Sequence, residues 1–185
     1  MKPEREKSVC RAFLRALGVT FTDHELIAPN QEPTDVAFRD ARFQVRDLLR
    51  GRQGGDLWKE KQKKFSEAQS LKDLVQPYVP PSPISLPSFV PEVVEALSNK
   101  AAKYGAGCKD IDALVYVDLD KVFLEPNSPV PNTVELQCQG WRSVSLLFSP
   151  YGVVLFASSK APLFLRATSG KQCMEFKNIS GLFDP

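Results

Sequence analysis

The chain has 185 residues, 43% hydrophobic and 25% charged, which suits one proper core and excludes a disordered chain. Its longest apolar runs, such as Val153-Val154-Leu155-Phe156-Ala157, are far short of a membrane span. The charged start from Met1 to Lys7 leads into no signal-type apolar segment, so a cytoplasmic protein without membrane attachment is expected.

Cysteine and histidine usage narrows the chemistry. Cys10, Cys108, Cys138 and Cys173 are scattered without a Cys-x-x-Cys pair, which speaks against structural zinc and a disulfide framework. His24 is the single histidine. Any Ser-His or Cys-His mechanism would depend on it, and no nucleophile signature lies nearby. It reads as a partly exposed strand residue. The net charge of +2 is unevenly distributed: between Arg39 and Lys64, nine basic residues stand against four acidic ones. Such a field can hold phosphates, or simply form a solvated face.

In chain order, Glu6, Cys10, Phe13 and Leu17 follow a helical stripe that Gly18 ends. A strand is expected over 21–28 and a loop over 29–33. Two strands follow, from Thr34 to Leu49, folded at Asp40-Ala41. Residues 51–55 connect to a helix over 57–75 with Asp56 as N-cap. Six of the fifteen prolines fall between Pro77 and Pro91, which predicts a stiff extended connection across the surface over 77–91. A helix then runs to Tyr104, with Pro91 near its first turn. A buried central strand is expected over 111–119 and a helix opening at Asn132-Thr133-Val134-Glu135, with Val134, Cys138 and Trp141 on one face. A core strand over 151–157 and an edge strand over 172–176 complete the series. This order of strand hairpins and crossover helices predicts a mixed-sheet α/β fold in a single domain over 1–185.

The hairpin carries the clearest constellation. Folded at Asp40-Ala41, it sets Asp35 opposite Arg46 and Ala37 opposite Gln44, while Val36, Phe38, Phe43 and Val45 point to the other face. One face is core; the other holds an acid, an amide and a guanidinium. Glu6 joins them if the first helix packs beside this sheet. Such a patch suits Mg²⁺-dependent attack on a phosphodiester. The same residues also suit a salt bridge between Asp35 and Arg46 that registers the hairpin.

Three blocks resemble a known family: Glu4-Arg5-Glu6-Lys7-Ser8-Val9-Cys10, Pro33 to Ala41, and Gln139-Gly140-Trp141-Arg142-Ser143-Val144-Ser145. They are similar to one small uncharacterised bacterial family, described as candidate endonucleases of the PD-(D/E)xK superfamily, over Glu4 to about Arg166. The resemblance implies a PD-(D/E)xK nuclease-like mixed sheet flanked by helices. It implies Glu6, or else Glu4, as the helix acid and Asp35 as principal metal ligand. Gln44 stands where the superfamily usually has Asp or Glu, and Arg46 where it usually has Lys. Gln offers a carbonyl oxygen without charge, and Arg stabilises charge but cannot act as a base.

The expected function is therefore Mg²⁺-dependent endonuclease activity on DNA or RNA, with Glu6, Asp35, Gln44 and Arg46 catalytic and the first three holding the metal. The alternative is an inactive module of the same fold that binds nucleic acid or a protein partner. Arg39, Arg42, Lys61, Lys63, Lys64 and Arg142 are expected phosphate contacts; Trp58 would stack beside the lysines, and Arg142 equally suits a structural ion pair. Asp112, Asp118 and Asp120 alternate along one strand and suggest either a second metal site or solvated carboxylates.

Overall fold

A computed structural model describes residues 2–29, 32–48, 62–63, 65–68, 70, 80–119 and 121–174. Helix α1 (Lys2–Ala16) buries Val9, Cys10, Phe13, Leu14 and Ala16, one stripe at helical spacing. It stops at Gly18, whose φ of 70° lets Val19 N–H reach back to Leu14 O at 2.9 Å. The expected strand over 21–28 shrinks to β1 (Leu26–Ile27) behind a 3₁₀ turn, Asp23–Glu25, that carries exposed His24. The cause is local: Thr22 N–H donates to Glu25 Oε2 at 2.7 Å, which curls the chain before it can pair.

Strands β2 (Val36–Phe38) and β3 (Ala41–Leu48) form the expected hairpin, with Val36 opposite Phe43, Ala37 opposite Arg42 and Phe38 opposite Ala41. The turn is therefore Arg39-Asp40, which corrects the expected register by two residues. Arg39 takes φ 52° without being glycine. Its guanidinium is held by Glu25 Oε1 and Thr20 O, both at 2.9 Å, and lies over the Phe38 ring. A shift of two keeps every side chain on its expected face, because the strand period is two.

Residues 57–61, 64, 69 and 71–75, and so most of the expected helix over 57–75, lie outside the described set, as do Pro77 to Val79. The proline-rich stretch departs from the extended connection expected over 77–91. Strand β4 (Ser82–Ile84) pairs in parallel with β6 (Val122–Leu124), and α2 (Leu86–Tyr104) begins five residues before Pro91. Pro87 occupies the first turn of α2, where its missing N–H breaks no helical bond.

Strand β5 (Asp112–Val117) lies at the centre of a seven-stranded sheet ordered β1-β2-β3-β5-β7-β8-β9, with β7 (Ser143–Phe148), β8 (Tyr151–Ala157) and β9 (Lys171–Met174) beyond it. Strands β3, β5 and β7 are parallel, and the other neighbours antiparallel. Strand β7 has no counterpart in the sequence expectations. Short helices α3 (Val134–Cys138) and α4 (Leu163–Thr168) flank β7 and β8 in the chain. Helix α3 ends before Trp141, and it buries Leu136 while leaving Val134 and Cys138 exposed, the reverse of the expected face.

Alternation in the central strands divides the core. Ala113, Val115, Val144 and Leu146 pack under Phe89, Val93 and Leu97 of α2. Leu114, Leu147 and Val154 pack against Phe13 and Leu14 of α1 and Leu165 of α4. Helices therefore cover both faces of a mixed sheet.

Candidate functional site

The site follows from unequal strand lengths. Strand β2 begins at Val36, whereas its partner β3 continues to Leu48, so among the described residues the outer edge of β3 has no strand neighbour over its second half. Asp35 stands at this break. Its N–H donates to Phe43 O at 2.8 Å, and its Oδ2 accepts the Val45 N–H at 2.9 Å. A side chain thus replaces the next rung of the ladder.

At that edge, residues from both faces meet. A cleft of about 160 Å³ is lined by Arg5, Glu6 and Val9 of α1, by Asp35, by Gln44 to Asp47 of β3, and by Lys100 of α2. The structure therefore brings Glu6, Asp35, Gln44 and Arg46 together as expected. Burial pushes the Cys10 thiol's pKa up, and the negative charges of Asp35 and Glu6 push it further.

The cations differ in availability. Arg5 pairs with Asp47. Among the described residues, Arg46 and Lys100 have no carboxylate partner, and neither has Arg42, exposed on the same strand face as Gln44 and Arg46. The expected Asp35–Arg46 salt bridge does not form there; the shifted register sets Asp35 beside Gln44 instead.

Gln44 departs from its expected role. It is 6% exposed, and both ends of its amide are occupied. Its nitrogen donates to Asp35 Oδ2, and its carbonyl oxygen, the atom expected to face a cation, accepts the hydroxyl of Tyr104. Tyr104 and Lys100 are absent from the expected site. They lie 4 residues apart on α2, far from the hairpin in sequence, and only their i,i+4 spacing marks them as one helix face.

The remaining expected residues fall elsewhere. Arg39 is committed to Glu25 at the hairpin turn. Lys63 is exposed and pairs with Glu67 at 3.7 Å. Lys61, Lys64 and Trp58 lie outside the described residues. Arg142 does not face the cleft: it forms a structural ion pair with fully buried Asp112. This also removes Asp112 from the suggested second metal site. Asp118 is exposed beyond the end of β5, and Asp120 lies outside the described residues.

Among the described residues, no three Asp, Glu, His or Cys side chains converge as a ready-made metal cage. Glu6 and Asp35, beside a third lining carboxylate, Asp47, that pairs with Arg5, still suit a hard divalent cation that keeps its other positions for water and phosphate oxygens. Among the described residues, no helix is long and apolar enough to cross a membrane.

A family model described as "Putative endonuclease, protein of unknown function (DUF1780)" matches residues 1–180. The family suggested by the three sequence blocks is thus the one that matches. A solved structure of a protein of unknown function from Pseudomonas aeruginosa strain PAO1, described as "Monooxygenase Superfamily", is 30% identical to this chain. The alignment has a TM-score of 0.73 and covers 94% of this chain and 83% of that one. No curated protein matches.

Proposed function

The chain belongs to the DUF1780 family, and we propose that its edge cleft is a phosphodiester-hydrolysing site in a single PD-(D/E)xK-like domain spanning residues 1–185. The observation that carries this reading is the meeting of Glu6 and Asp35 with the cations Arg46 and Lys100 around one cleft. The helix-then-hairpin order of α1, β2 and β3, followed by the parallel strand β5, supports the fold assignment.

Asp35 and Glu6 would hold Mg²⁺, which supplies Lewis-acid stabilisation of charge on the scissile phosphate. Arg46 is permanently charged and steadies the developing negative charge. Lys100 adds a second cation to the cleft, a compact ammonium suited to hydrogen-bond a phosphate oxygen. Arg42, on the same strand face, extends the positive surface along the nucleic-acid backbone.

A second reading has its own support: the Gln44 carbonyl is tied to Tyr104 and the Asp47 carboxylate to Arg5, which withdraws both from a cation and argues for a cleft that grips nucleic acid without cutting it. Cleavage of plasmid and of single-stranded oligonucleotides in Mg²⁺ or Mn²⁺ separates the two. Hydrolysis that disappears in Asp35→Asn supports the nuclease. Salt-sensitive binding without hydrolysis, unchanged in Asp35→Asn, supports the binding module.

A further inference from the structure

The hydrogen bonds behind the cleft run in one direction. Lys100 Nζ donates to the Tyr104 hydroxyl oxygen at 3.3 Å, the hydroxyl donates to Gln44 Oε1, and Gln44 Nε2 donates to Asp35 Oδ2. An ammonium has no lone pair, so Tyr104 must use an oxygen lone pair for Lys100 and its one proton for Gln44. The reversed amide would set a carbonyl oxygen against a carboxylate at one end. The Asp35 carboxylate, an acceptor only, therefore selects the amide orientation, and the Tyr104 proton meets the carbonyl end it leaves.

The consequence falls on Asp35. Its Oδ2 accepts from both Gln44 and Val45, so the carboxylate is fixed by one oxygen while Oδ1 makes no hydrogen bond to a described residue. We propose that Gln44 is a positioning residue, locked by Tyr104, that holds Asp35 with Oδ1 presented to the cleft. In this arrangement the Gln44 carbonyl is kept away from the cation. The inference rests on reading the cleft as a cation site, and it assigns to Tyr104 a role exerted only through Gln44.

The test uses the full chain, its side-chain amide NMR signals in chelator, and titration with Mn²⁺ alone. The Gln44 amide signal is identified by its loss in Gln44→Met. In the wild type its hydrogens should exchange slowly with solvent, and in Tyr104→Phe about tenfold faster, as one anchoring bond is lost. With the donor gone, the amide can turn toward a bound cation, so Tyr104→Phe should bind Mn²⁺ about three- to tenfold more tightly. Gln44→Met should bind it more weakly, because Asp35 loses its fixed orientation.

The decisive comparison is the double variant. Tyr104→Phe should add nothing in the Gln44→Met background, since a residue acting through another has no effect once that other is gone. A Tyr104→Phe effect that persists there, or an unchanged amide signal and unchanged affinity in Tyr104→Phe, would overturn the lock while leaving the cation site intact. Failure of every variant and the wild type to bind Mn²⁺ would overturn the cation reading itself, and with it the role given to Tyr104.

Discussion

Asp112 grips Arg142 with both carboxylate oxygens inside the sheet. Oδ1 accepts from Arg142 Nε at 3.0 Å and from Ser143 Oγ at 2.7 Å. Oδ2 accepts from Arg142 Nη2 and from the Arg42 N–H, the latter at 2.9 Å. Arg142 reaches on to Asp40 O at 2.9 Å. One ion pair thus ties the hairpin turn to the starts of β5 and β7. Removing one partner strands the other charge, so Arg142→Ala should cost about 3–5 kcal/mol in chemical denaturation. Arg142→Lys should recover only part, because an ammonium cannot reproduce the two-pronged contact. A loss below about 1 kcal/mol in Arg142→Ala would show that the pair does not organise this corner.

Gln44→Glu sets a carboxylate against Asp35 where an amide nitrogen now donates. Tyr104 can still donate to one oxygen, but the other faces Asp35 Oδ2 with no hydrogen between them. The variant should bind Mn²⁺ about tenfold or more tightly, as two close carboxylates favour a cation or a shared proton. In chelator the pair's folded-state pKa should rise above the ordinary carboxylate range. Stability is then fully present below the unfolded pKa, about 4, and is lost as pH rises through the raised one. Thermal melts from pH 4 to 8, with and without Mn²⁺, check both effects.

Nucleic-acid affinity should fall steeply with salt if Arg42, Arg46 and Lys100 contact phosphates. Each contact removed should flatten the log–log slope by about 0.7 for a single strand and about 0.9 for a duplex. The Arg42→Ala, Arg46→Ala and Lys100→Ala variants should each show this, measured by fluorescence anisotropy across a salt series. Slopes equal to wild type in all three would place the binding surface elsewhere.

The four cysteines should divide by access and charge. Cys10 and Cys108 are buried, and burial raises both thiol pKa values, with Asp35 and Glu6 adding to the effect at Cys10. Raised pKa means less thiolate at pH 8, so iodoacetamide should modify exposed Cys138 first and Cys10 last, as followed by peptide mass spectrometry. Asp35→Asn should leave Cys10 protected, because burial is the larger cause. Rapid labelling of Cys10 in the native wild type would contradict the packing of α1.

Much of the site was legible because strand periodicity survives register error. Asp35, Gln44 and Arg46 share their expected face although the turn lies at Arg39-Asp40, since an even shift preserves alternation. Glu6 was legible from the helical stripe that continues through Cys10 and Phe13. Lys100 and Tyr104 were not, because a helix brings them to Gln44 from 60 residues away for Tyr104, and local pattern carries no such distance. Strand β7 was hidden by its serines: Ser143 and Ser145 read as polar, yet both are fully buried. Ser143 satisfies its hydroxyl on Asp112, a partner invisible from its neighbours in sequence.

The parallel pairing of β3 with β5 also bears on the order in which the protein assembles. Asp35 and Gln44 are 9 residues apart and meet through a hairpin, which closes within microseconds. Arg42 and Asp112 are 70 residues apart, so the central parallel pair must first close a long loop and offset its entropy with distant contacts. Until then the acid of the cleft stands beside its amide, while the tyrosine and lysine of α2 remain elsewhere. During synthesis, a ribosome-bound chain ending before residue 100 would hold Glu6, Asp35 and Arg46 of this cleft without the lysine and the hydroxyl of α2 that complete it.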